Sequence, residues 1–186
     1  MCRGLPAGGA DRRVAPAGRA GMSRIAARPL TAAAFAPFGD VLEAAGAPDK
    51  IINQGRCGRF HDRARLDFGP GGRAGISVFH SRPVTWPVPV AMVERHPEGS
   101  QAFVCMTGHP FLVVVAADEN GTPGRPRAFV AAAGQAINIH RNTWHGVLTP
   151  LHEPGLFAVI DRIGTTPNLQ EHWFDTPYTV EPGPDG

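Results

Sequence analysis

From residue 75 onward, short apolar runs rich in β-branched and aromatic residues alternate with clusters of Gly, Pro, Asp and Asn. The runs are Gly75 to His80, Val88 to His96, Gln101 to Thr107, Phe111 to Ala117, Ala128 to Ala132, Ala136 to Ile139, Trp144 to Leu148 and Phe157 to Arg162. Turn-type segments separate them, among them ProGluGlySer at 97–100 and AspGluAsnGlyThrProGly at 118–124. About eight short strands at this spacing predict an all-β sandwich or barrel. Upstream, Thr31 followed by AlaAlaAlaPhe predicts an N-cap opening one short helix, which Pro37 and Gly39 end. No strand alternates with a long helical pattern, which disfavours a doubly wound sheet. Phe79, Trp86, Phe103, Phe111, Phe129 and Phe157 fall in or beside the runs and are expected in the core. Trp173, Phe174 and Tyr178 form a last aromatic patch, expected to cap a barrel end or to pack on another subunit.

Composition narrows the picture. The 186 residues include 23 Gly and 19 Pro, a density that forbids a mostly helical protein. Residues 1–21 hold one Leu, one Val and no aromatic, too little to offset ordering entropy. They are expected to be a disordered extension, with Met22 as the true translational start and residues 22–186 forming one domain. Eighteen Lys and Arg against 16 Asp and Glu leave a charge of +2, too balanced for nonspecific nucleic-acid or anionic-membrane binding. A small-molecule partner is expected instead. Cys2, Cys57 and Cys105 are widely spaced, which argues against both a disulfide framework and a thiolate zinc site. With no apolar run near the roughly 20 residues of a membrane span and no secretory h-region, the cytoplasm is the expected location.

Chemistry concentrates in Glu94-Arg-His96-Pro-Glu-Gly-Ser-Gln101 and in Gly134-Gln-Ala-Ile-Asn-Ile-His140-Arg141-Asn142-Thr-Trp-His145. Glu94 and His96 are two apart on a predicted strand and so project from one face. The ProGluGlySer turn brings Gln101 back beside them, and His145 is the candidate to close the cluster from a distant strand. Imidazole nitrogen, carboxylate oxygen and an amide carbonyl suit a borderline divalent cation, making Glu94, His96, Gln101 and His145 the candidate ligands. A Glu94–Arg95 ion pair with ordinary hydrogen-bonded histidines is the competing account.

The spacing resembles the cupin signature. Glu94-x-His96, four residues, Gln101, six residues, Gly108 follows its first motif, and Gly134, five residues, His140-x-Asn142-x-x-His145 follows its second. Glu94 stands where cupins carry the first His, Gln101 where they carry Glu, and His140 and Asn142 where they carry Pro and Gly. These departures resemble the ureidoglycolate lyase family, as do PheGlyAspVal at 38–41, IleAsnGlnGly at 52–55, ArgPheHisAsp at 59–62, HisArgAsnThrTrpHis at 140–145 and IleAspArg at 160–162.

The resemblance implies a cupin-like double-stranded jelly-roll β-barrel, a homodimer, and cleavage of (S)-ureidoglycolate to glyoxylate and urea with a divalent metal such as nickel. Such chemistry needs acid and base groups, and His140 joins Glu94, His96 and His145 as a catalytic candidate. For the anionic substrate the candidates are Arg59 and Arg141, with His61, Asn53 and Asn142 as further polar contacts. Arg95 alternates to the opposite face, and His80, His109, His152 and His172 are expected at the surface or rim. The alternatives are a non-haem iron dioxygenase, since two His and one carboxylate also form a facial triad, and a noncatalytic binding barrel.

Overall fold

A computed structural model of the protein describes residues 23–184; the expected extension and start site lie outside them. Two β-sheets face each other. The larger runs in the order Arg24–Ala26, Gln170–Glu181, Val88–Arg95, Trp144–His145, Phe111–Ala116, Arg127–Ala131, Arg28–Pro29, with Thr149–Pro150 also paired to Phe111–Ala116. The second runs Gly39–Leu42, Ala136–Ile139, Gln101–Cys105, Gly155–Ile163, Arg73–Ser81. Together they form the jelly-roll barrel that the cupin spacing implied.

The apolar pattern explains the layering. All six residues of Phe111–Ala116 are buried. Phe111, Val113 and Val115 face the core between the sheets with Phe35, Phe103, Ile137 and Phe157, whereas Leu112, Val114 and Ala116 join a second cluster with Val88, Val93, Trp144 and Val180. A strand covered on both faces therefore reads as an unbroken apolar run. The helix forms as its sequence requires: Thr31 Oγ1 accepts from the Ala34 N–H at 3.2 Å, and Phe35 plugs the core.

Several expectations are corrected. Trp144 to Leu148 is not one strand: only Trp144–His145 and Thr149–Pro150 pair, because the register on Phe111–Ala116 shifts by one residue between His145–Val115 and Thr149–Leu112, and Val147 in that bulge is left exposed. Phe79 is 38% exposed rather than core, because it lines an open cavity at the edge of the second sheet. The aromatic patch belongs to a twelve-residue strand, Gln170–Glu181, paired antiparallel with Val88–Arg95. Within it Phe174 and Tyr178 pack on the second cluster while Trp173 points outward. Its polar residues and the irregularity between Trp173 and Tyr178 hide the alternation from a sequence reading. Among the described residues no helix is long and apolar enough to cross a membrane.

Candidate metal centre

Three of the four predicted ligands converge. Glu94, on Val88–Arg95, is the direct register partner of His145 on Trp144–His145, and His96 follows one residue beyond that strand. The ligand atoms of Glu94, His96 and His145 all lie within 4.8 Å of one another, with His96 Nε2 4.0 Å from Glu94 Oε1 and the two imidazole centroids 5.3 Å apart. One backbone bond and one side-chain bond between the turns hold this meeting in place. The Asn142 N–H donates to His96 O at 2.9 Å, and Arg141 Nε donates to Pro97 O at 2.5 Å. Asn142 itself has φ +64°, a left-handed turn position that Asn tolerates.

The tautomers follow from the partners. His96 Nδ1 is 2.6 Å from Asn168 O, and His145 Nδ1 is 3.0 Å from Gly146 O. A carbonyl only accepts, so each Nδ1 carries a proton, and in the neutral ring the lone pair is on Nε2. Both Nε2 atoms are buried without a hydrogen-bond partner, as is Gln101 Oε1. A ligating histidine whose other nitrogen is held by a carbonyl is the usual outer-shell arrangement of metal sites.

The electrostatics agree. Burial, helped by the neighbouring His96 and only partly offset by the Gly146 carbonyl, pushes the His145 pKa down to about 4, so its ring is neutral near pH 7. Burial raises the Glu94 pKa; His96 opposes this, and Glu171, its register partner on the neighbouring strand, adds to it. Glu94 and Gln101 line an open cavity of about 440 Å³ together with Phe79, Phe103, Val147 and Leu148.

The remaining candidates lie elsewhere. His140 Nε2 meets Asp40 Oδ1 at 3.1 Å. Asp40 and Asn138 are register partners whose side chains bond at 2.9 Å, on the face of the sheet opposite to the buried Ile137 and Ile139. The Asp40 carboxyl sits below its ordinary pKa: burial opposes the shift, but bonds from Asn138, the Arg65 N–H and His140 outweigh it. Arg59 and His61 are bonded to each other at 2.8 Å, next to the exposed hairpin Lys50–Ile52/Cys57–Arg59, whose turn carries Asn53 at φ +53°. Arg141 and Asn142 stand exposed on the turn behind His96. Arg95 is on the outer face, bonded to Asp118 and Gln170 with its guanidinium 4.3 Å from the Trp144 ring. His109 and His152 are exposed, His172 is half-buried between the rings of Trp144 and Phe174, and His80, though exposed, lines the same cavity as Glu94 and Gln101.

Sequence reasoning missed Asn168 and Glu171. Asn168 acts through its backbone carbonyl, which no residue type signals, and Glu171 needed a strand whose pattern was not legible.

A double-sheet barrel with one carboxylate and two imidazoles bearing unpartnered Nε2 atoms, grouped beside a cavity that Gln101 also lines, is a cupin in which Glu94, His96 and His145 could hold a metal ion. The match narrows further: residues 22–181 fit the family described as Ureidoglycolate lyase, and the chain belongs to that family. It is 56% identical over 160 residues to the ureidoglycolate lyase of Rhodobacter capsulatus, covering 86% of this chain and 99% of the relative. It is 53% identical to ureidoglycolate lyase 2 of Rhizobium meliloti, covering 83% of this chain and 95% of the relative. The ureidoglycolate lyase of a Chelativorans species is 49% identical, with 86% and 97% covered.

Proposed function

We propose that this protein is a ureidoglycolate lyase, cleaving (S)-ureidoglycolate to glyoxylate and urea. The observation that carries the reading is the convergence of Glu94, His96 and His145 beside a cavity, in a chain whose relatives bear that name. The donor set fits a borderline divalent ion: two buried Nε2 atoms and one carboxylate, with Gln101 Oε1 as a weak fourth ligand. Such an ion, nickel in this reading, would polarise the substrate hydroxyl and, by more than offsetting the Glu94 charge, attract the substrate carboxylate.

The rest of the reaction is proton transfer. The hydroxyl proton must leave as its electron pair becomes the aldehyde carbonyl, while the C–N bond breaks and the departing nitrogen gains a proton. Of the two Glu94 carboxylate oxygens, one would hold the ion, and the other would take the hydroxyl proton and return it to the urea nitrogen. His140, bonded to Asp40 across the sheet, has no part in this scheme.

The reading includes a cytoplasmic homodimer. The nine-residue strand Arg73–Ser81 is a sheet edge with Ile76 and Val78 76% and 63% exposed, an invitation to pairing. In this reading Arg59, His61 and Asn53 would serve as carboxylate and ureido contacts for the site of a second copy, and Arg141 and Asn142 would serve from the turn behind His96.

The test is a product assay on enantiopure (S)-ureidoglycolate, with and without chelator and under nitrogen. Urea and glyoxylate in equal amounts, lost on chelation, support the reading. Ammonia as the product would replace the lyase with an amidohydrolase, and a requirement for oxygen would favour the iron dioxygenase.

A further inference from the structure

We propose that Asp161 is a substrate-binding residue that accepts N–H bonds from the ureido group and so sets the direction in which substrate lies in the cavity. The inference deepens the lyase reading and rests on it.

The placement follows from register. On Gly155–Ile163, Phe157 and Val159 are 1% and 0% exposed and point between the sheets. Asp161, two residues further, shares their face. Phe157 pairs with Cys105, Val159 with Phe103 and Ile160 with Ala102, and the same register carried one residue past that last pair sets Asp161 opposite Gln101. Directly opposed residues of an antiparallel pair have neighbouring side chains. Gln101 lines the cavity, which places Asp161 at the same end of the barrel as the Glu94 cluster.

The chemistry follows from what these side chains lack. Asp161 Oδ1 is buried without a hydrogen-bond partner, and so is Gln101 Oε1 beside it. A buried bare acceptor is costly, and two adjacent ones call for an occupant rich in donors or positive charge. With Gln101 turned to the ion, Asp161 is the acceptor left for substrate. Ureidoglycolate offers three N–H donors at its ureido end and an anionic carboxylate at the other. Asp161 repels the carboxylate and accepts from the ureido group, so the substrate lies with its carboxylate toward the Glu94–His96–His145 end. A 2-hydroxy acid without a ureido group leaves Asp161 unpaired, which explains how the site would reject it.

The experiment uses the purified holoenzyme and the variants Asp161→Asn, which keeps the shape, and Asp161→Ala. Inhibition by the two products, urea and glyoxylate, is measured separately, with thermal melting and metal content as controls. Loss of a charge-assisted bond predicts that the urea inhibition constant and the KM for ureidoglycolate rise by about 10- to 100-fold. Metal content is expected to stay at the wild-type value, and the glyoxylate constant to stay at or fall below it, because a charge that repels the anion is removed. An unchanged urea constant, or equal weakening of both products, would overturn the assignment. Should the variants not fold, the wild type still decides: urea must compete better than tetramethylurea, which has the carbonyl and no N–H, and equal competition refutes the role of Asp161. Absence of urea release by the wild type would instead defeat the lyase reading itself.

Discussion

Acid should destabilise the metal-free protein through His145, and the size of the effect can be worked out. The ring is 1% exposed and its pKa falls from 6.5 to about 4 on folding. The unfolded chain therefore binds a proton that the folded chain refuses throughout the window between those values. Stability is full above the unfolded pKa and declines as pH falls toward the folded one, by at most about 1.4 kcal/mol per pH unit. Between about pH 8 and about pH 4.5 the loss attributable to this residue is about 2.5 kcal/mol, or roughly 5–10 °C in Tm for a chain of this size. Glu94 acts in the opposite sense, because its raised pKa favours the folded form as pH falls, but His145 is not among the groups that shift it. A difference measurement therefore isolates the histidine together with its coupling to His96. Chemical denaturation of metal-stripped wild type and His145→Gln at both pH values should show the wild type losing about 2.5 kcal/mol more than the variant. Parallel losses would refute the claim that burial holds this ring neutral.

Two further outcomes concern the scaffold. The Arg162 side chain is 3% exposed, donates to Phe68 O and Pro70 O, and pairs with Glu98 Oε2 at 3.1 Å, while Thr166 Oγ1 bonds the same carboxylate. Arg162→Ala should destabilise by about 2–3 kcal/mol in denaturant melts, less than for a fully buried pair because Glu98 is partly solvated; an effect below about 0.5 kcal/mol, the range of ordinary surface changes, would show that these loops hold without it. Gly39→Ala should lower stability by about 1–3 kcal/mol, since the new Cβ would overlap Asn138 O and lie 2.7 Å from the Phe35 ring; a neutral result would mean that the helix and the strand Ala136–Ile139 move apart freely.

What the sequence determined by itself was local. The short apolar runs, the Thr31 cap and the ProGluGlySer turn are properties of a few consecutive residues, and each states its own conformation. That Glu94 and His96 share a face follows from the pleat alone. The site needed more. His145 reaches Glu94 only because two strands some fifty residues apart pair in one register, and that register is chosen by packing in both core clusters at once. The same long-range choice put Glu171 beside Glu94, turned His140 to Asp40, and set the Asn168 carbonyl against His96, which decides the nitrogen that stays free. Residue type supplied the possible ligands; tertiary structure selected which lone pairs face one another, because side-chain direction depends on partners that no local pattern names.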